Sequence, residues 1–305
     1  GDMAWYTGKT EIAVMAIGDS NIVANAEGGD TPSTRYPNPN VYTYTKAADG
    51  APYGDAYLDW RVVYDNDPAR DLDMLWSFLA GVPYIGLPLG GREPSAPQLA
   101  SSVQQATGIT NYLYQSGQGG SSSDDWITGA NWTSLLATVP TALASIPGTH
   151  TYFDIIYISL GTNDIVLLAN TAEQFYTNIL ALRSLMVAEG WWVPGTTQII
   201  FMDLPRTGSI TGGVNNPGAG ISYPENWRGL DLVRARLNDR VDMNSSVGLG
   251  YSATYPVHHS ESAYTDLGIQ AAALAVAQIP TQRAVFSIGG SRLSLGGQKL
   301  RVHSA

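Results

Sequence analysis

The apolar run Ile12-Ala13-Val14-Met15-Ala16-Ile17 stops at Gly18-Asp19-Ser20. Six uncharged residues bounded by a turn signal are too few for a helix and read as a strand buried on both faces. Strand-type runs recur at 110–115, 154–160 and 197–203. Helix-period segments occupy Ser95–Ala106, which stops at Gly108, and about 131–146, 171–190, 224–242 and 261–279. Short buried-type strands alternating with helices restrict the fold to a parallel sheet covered by helices on both faces. Residues 21–66, rich in Asn, Asp, Gly, Pro and Tyr, carry hairpin-like pieces at Val41–Thr45 and Trp60–Tyr64. Leu72, Leu75, Phe78 and Leu79 have helical spacing and predict a helix over 68–81.

In open parallel sheets, ligands bind beyond the carboxyl ends of the strands. Four polar signals fall in one order along the chain: Gly18-Asp19-Ser20, Gly119-Gly120-Ser121-Ser122, Gly161-Thr162-Asn163-Asp164 and Val257-His258-His259-Ser260. Ser20, Gly120 and Asn163 each come just after an expected strand, so the three meet at one edge of the sheet. A serine, a glycine, an asparagine and a histidine are the parts of an ester hydrolase: a nucleophile, two oxyanion donors and a base. Each signal alone is an ordinary turn or loop; their order and common placement carry the reading.

Composition removes other classes. The chain has 305 residues, 44% of them hydrophobic and 14% charged, which is globular in character. Its net charge of -10 and its three lysines, Lys9, Lys46 and Lys299, argue against nucleic acid as a partner. No apolar run has the length of a membrane span. There is no cysteine, so disulfides and thiolate metal sites are excluded. No metal site is expected, because His-Glu-x-x-His and calcium-loop patterns are missing. The Asp65–Asp73 region reads as a solvated loop and helix start. Gly289-Gly290 and Gly296-Gly297 lack the Lys-Ser/Thr of a phosphate-binding loop, and no Gly-x-Ser-x-Gly elbow occurs. No signal peptide is visible; Gly1-Asp2-Met3 reads as an expression remnant, compatible with a leader already removed.

The order Ser20, Gly120, Asn163, His258 resembles that of the SGNH, or GDSL-type, hydrolases, and the resemblance covers most of residues 11–280. The block Gln115-Ser-Gly-Gln-Gly-Gly-Ser-Ser-Ser-Asp-Asp-Trp126, the preceding Ser95–Gly108 stretch and the long insertion before them are similar to the sialate O-acetylesterase-like carbohydrate esterases. The resemblance implies a three-layer α/β/α sandwich around a parallel sheet, SGNH or flavodoxin-like. It implies Ser20 as nucleophile, His258 as base and acid, and an oxyanion hole formed by the Ser20 amide, the Gly120 amide and the Asn163 side chain. Asn21, Trp126, Asp164 and His259 are candidate substrate contacts. No cofactor is implied.

The sequence departs from the family's pattern at one place. Tyr255 stands three residues before His258, where the family has an aspartate that orients the ring; Leu267-Gly268 keeps the expected phase after it. His258 would then act in a dyad, or with a distant acid such as Asp203, or the enzyme is impaired; His259 is the rival base. The activity expected is removal of O-acetyl or other short acyl groups from a carbohydrate or polysaccharide. The alternatives are a carbohydrate-binding module without activity, and a lysophospholipase or thioesterase of the same family. Eight Trp and seventeen Tyr suit sugar rings, and no long apolar lid is evident. Residues 1–280 are expected as the hydrolase domain, with 21–93 as an insertion of loops and hairpins. The tail, 281–305, contains Ser287-Ile-Gly-Gly-Ser-Arg-Leu293 followed in phase by Ser294-Leu-Gly-Gly-Gln-Lys-Leu300 and is expected as a β-ribbon that packs on the domain or joins copies into a homo-oligomer. The acidic, Lys-poor composition and the tail predict an extracellular or virion-associated protein, with a cytoplasmic one also compatible.

Overall fold

The computed structural model describes residues 4–22, 38–46, 58–63, 84–85, 95–166, 170–205, 223–237, 239–250, 258–277, 285–288 and 291–294. The expected helix over 68–81, Tyr255 and the remainder of the C-terminal tail lie outside the described residues.

Strand β1 (Glu11–Gly18) is the centre of the sheet. It pairs in parallel with β5 (Thr110–Gly117) on one side and β6 (Ile155–Ser159) on the other. Beyond β6 lie β7 (Gln198–Phe201) and β8 (Val241–Met243), both parallel. Beyond β5 lies β2 (Asn38–Lys46), also parallel, edged by antiparallel β3 (Leu58–Val63). Two residues, β4 (Tyr84–Ile85), pair antiparallel with the end of β5. The main order is β3-β2-β5-β1-β6-β7-β8, so six strands run parallel. The Val41–Thr45 and Trp60–Tyr64 pieces do pair, Tyr44 with Trp60, and β2 also enters the main sheet beside β5. Separately, β9 (Val285–Ile288) and β10 (Ser291–Ser294) pair antiparallel.

Helices α1 (Ser95–Thr107), α2 (Gly129–Ser145), α3 (Thr162–Val166), α4 (Ala172–Ala188), α5 (Tyr223–Arg236) and α6 (Glu261–Val276) connect and cover the strands. The period of two along β1 divides its side chains between the two faces. Ala13, Met15 and Ile17 pack in one core with Leu135 and Val139 of α2, Ile179 and Leu182 of α4 and Leu230 of α5. Ile12, Val14 and Ala16 pack in a second core with Leu99 and Val103 of α1 and Leu267 and Ala271 of α6. All six β1 side chains from Ile12 to Ile17 are fully buried, which explains why the run is continuous rather than alternating. Each large aliphatic buried in this way contributes about 1.5–3 kcal/mol.

The expected segment 224–242 is a helix only to Arg236. The chain then re-enters the sheet as β8, where Val241 pairs with Ile199. Three residues are too few to display a period of two, so this strand left no pattern in the sequence. Among the described residues, no helix is long and apolar enough to cross a membrane.

Candidate active site

Three neighbouring strands end level with one another, and their outgoing loops stay bonded one step further. Gly18 pairs with Gly117 on one side and Ser159 on the other. Gln118 N then donates to Gly18 O at 3.0 Å, and Asp19 N donates to Ser159 O at 2.9 Å. Gly18 is required by this close approach: a Cβ built on it would lie 2.1 Å from Ser159 O. The turn closes with Ile22 N donating to Asp19 O at 3.2 Å. It presents Ser20, whose Oγ lies 2.8 Å from His258 Nε2. Ser20 is 5% exposed and His258 6% exposed, so the pair sits at the bottom of the strand-end surface.

The glycine block after β5 is held by its own polar side chains. Ser121 N and Oγ both donate to Gln118 O, and Trp126 Nε1 donates to Ser121 Oγ at 3.0 Å. Ser122 N donates to Asp125 Oδ2 at 2.7 Å. Gly120 lies in this loop at φ +78°, a left-handed conformation that favours glycine, with open space where a Cβ would stand. Its smallness thus serves the backbone turn. Asn163 opens α3, and its Nδ2 donates to Ser121 O at 2.8 Å, which ties the asparagine to the glycine block.

Asn21, Trp126, Asp164 and His259, expected to face substrate, are instead buried, with no more than 1% of any of them exposed. Their polar atoms bond within the protein. Asp164 accepts from Ser123 N at 3.0 Å, from Ser123 Oγ and from Asn170 Nδ2 at 3.2 Å. Asn178 Nδ2 in turn donates to Ser123 Oγ at 2.9 Å. Asp164 therefore latches the loop after β6 to the loop after β5; burial raises its carboxyl above the usual range. His259 donates from Nε2 to Asp203 O at 2.8 Å, which fixes the proton on that nitrogen. Its ring lies edge-on to Tyr264 with centroids 5.5 Å apart. Burial pushes His259 down to about 4, so it is neutral at ordinary pH. The structure thus places His258, and not His259, on Ser20.

Asp203 follows β7. Its carboxylate accepts from Ser246 N and Ser246 Oγ, both at 2.9 Å, and from Leu204 N at 3.0 Å. It meets the histidine loop through its backbone carbonyl on His259. The residues the sequence reading passed over are Ser123, Asn170, Asn178 and Tyr264. Ser123 lies in the Gln115–Trp126 block but was given no role there; Asn170, Asn178 and Tyr264 sit in no motif, and only their tertiary partners reveal them. Among the described residues, no group of three or more His, Asp or Glu is placed to hold a metal ion.

No family model matches the chain, and no curated protein matches it in sequence. Solved structures do match. A protein from Arabidopsis thaliana aligns at 15% identity with a TM-score of 0.60, covering 87% of this chain and 97% of that one. A carbohydrate acetylesterase from Xanthomonas citri aligns at 12% identity with a TM-score of 0.51, covering 87% of this chain and 55% of that one. At such identities the likeness is one of fold. The parallel sheet with helices on both faces is the architecture that the resemblance implied.

Proposed function

We propose that this protein is a serine esterase that removes acetyl or other short acyl groups from a carbohydrate. The observation that carries the reading is the 2.8 Å contact between Ser20 Oγ and His258 Nε2 at the strand-end edge of a parallel sheet. In the proposed reaction, His258 Nε2 takes the Ser20 proton as Oγ attacks the acyl carbon. The oxyanion is held by the Ser20 and Gly120 amides and by Asn163 Nδ2. One hydrogen of that NH2 goes to Ser121 O, and its second serves the oxyanion. Protonated His258 then gives the proton to the departing sugar oxygen. Water, deprotonated by the same nitrogen, releases the acid and restores Ser20.

The short acyl group and the sugar are supported by the resemblance of the Gln115–Trp126 block to carbohydrate esterases, and by the similar fold of the carbohydrate acetylesterase from Xanthomonas citri. Trp126 no longer supports a sugar platform, because it is buried under the glycine block. The test is acetate release from acetylated saccharides and from p-nitrophenyl esters of increasing chain length. Ser20→Ala is expected to abolish turnover in a folded protein. Asn163→Ala is expected to lower kcat about 10²–10³-fold with KM little changed. Wild-type turnover in folded Ser20→Ala would overturn the nucleophile, and a preference for long acyl chains would overturn the acetyl-sugar substrate. An inactive wild type that still binds saccharides would favour the binding-module reading.

A further inference from the structure

The proposed chemistry makes no use of Asn21, the residue after the nucleophile, yet its side chain is fully buried at the site. Asn21 N donates to Asp19 Oδ1 at 2.9 Å. Its Nδ2 donates to Thr162 Oγ1 at 3.2 Å. Its Oδ1 accepts from Tyr264 OH at 2.9 Å and from His259 N at 3.4 Å. Each of three segments is gripped next to a residue of the proposed chemistry. Asn21 is joined to Ser20, Thr162 precedes Asn163, and His259 N belongs to the peptide that follows His258. Tyr264, in the first turns of α6, sets the carboxamide from behind and packs against the His259 ring. A carboxamide supplies a donor and a two-lone-pair acceptor at once. Aspartate lacks the donor, leucine lacks both, and serine is too short to span the same gap.

We infer that Asn21, seated by Tyr264, is the positioning residue that registers the nucleophile turn, the asparagine loop and the histidine loop against one another. The inference rests on the esterase reading above. It explains how loops separated by more than a hundred residues hold Ser20 Oγ and His258 Nε2 at hydrogen-bond distance. A displacement of about 1 Å at such a contact costs about 10²-fold in rate.

The experiment uses the full chain, with kcat and KM for p-nitrophenyl acetate measured separately, the rate of Ser20 labelling by a fluorophosphonate, and the melting temperature. Asn21→Leu is expected to lower kcat about 10²-fold, to leave KM within about twofold, and to slow labelling by the same factor as kcat. Tyr264→Phe is expected to lower kcat about three- to tenfold, the value of one hydrogen bond. Adding Tyr264→Phe to Asn21→Leu should bring no further loss, because the hydroxyl acts through the carboxamide. A folded Asn21→Leu or Tyr264→Phe protein with wild-type kcat would overturn the inference, as would a loss confined to KM or fully additive losses. Should Asn21→Leu fail to fold, kcat of Tyr264→Phe decides alone. Ser20→Ala is run beside them. If it stays active, the esterase reading falls and takes the inference with it; if it is dead while both other variants match wild type, only the inference falls.

Discussion

Asp19, one residue before Ser20, is a fully buried carboxyl whose Oδ1 accepts from Asn21 N at 2.9 Å and Ser159 Oγ at 3.2 Å. Burial raises it to about 7, partly offset by these bonds and reinforced by nearby Asp164. Its unfolded value is lower, so between about pH 4 and 7 the native state binds the extra proton, and stability falls as pH rises across that window. Asp19→Asn is expected to flatten this dependence, with a gain on the order of a few kcal/mol above pH 7, read by denaturant titrations at several pH values. A wild-type slope in that variant would place the proton elsewhere. His259 has the opposite sign: its lowered value means stability is lost as pH falls from about 6.5 towards 4. The two histidines separate in the same terms. His258→Ala should remove nearly all acetate release near pH 8, whereas His259→Gln, whose amide can replace the donor to Asp203 O, should retain most of it. The reverse result would shift the register of the loop by one residue. The resemblance favoured His258 through its phase to Leu267-Gly268, and in the structure it is the His258 ring that meets Ser20, the next residue of an extended chain pointing to the opposite side.

At the scale of elements, the sequence was most legible where periodicity and caps coincide. Helix α1 stops where expected, with Gly108 at φ +71° and its N–H donating to Gln104 O at 2.8 Å. Helix α6 starts after Ser260, whose Oγ accepts from Ala263 N at 3.3 Å. This cap fixes the chain immediately after His258-His259. The resemblance marked Leu267-Gly268 only as a phase; the structure supplies its reason. Leu267 is buried in the core between α6 and the sheet, and a Cβ on Gly268 would lie 2.5 Å from Ser95 O of α1. Backbone cannot yield there as a flexible side chain would. Gly268→Ala is therefore expected to force α1 and α6 apart and to lower stability by about 1–3 kcal/mol, measured by thermal or denaturant unfolding. An unchanged melting temperature would show that the two helices have slack. Taken alone, Gly161-Thr162-Asn163-Asp164 reads as a turn signal; in the structure Thr162, Asn163 and Asp164 belong to the short helix α3. Five residues are too short to be seen by helical period.

Across the whole molecule, the sheet separates chemistry from anchoring. Ser20 and His258 lie beyond the carboxyl ends of the strands. At the other end, Asp154, just before β6, accepts from Ala13 N at 2.9 Å and pairs with Lys9 Nζ at 2.8 Å. Asp154→Ala leaves a buried N–H without its acceptor and is expected to cost about 1–3 kcal/mol of stability. Its kcat per folded molecule should match wild type, since about four strand residues, or roughly 13 Å, intervene. A parallel loss of kcat and stability would mean that the sheet transmits strain between its ends.

The alternation of strands and helices, the burial of β1 on both faces, and the order of serine, glycine, asparagine and histidine were determined by the sequence alone. Each is a local pattern of period, turn residue or motif. Only the tertiary structure decided that Ser20 meets His258 across 238 positions. It also decided that β2 joins the main sheet, and that Asn21, Trp126, Asp164 and His259 turn inward to hold the loops. Strand order and register set those contacts, and they emerge from the packing of both cores together rather than from any one segment.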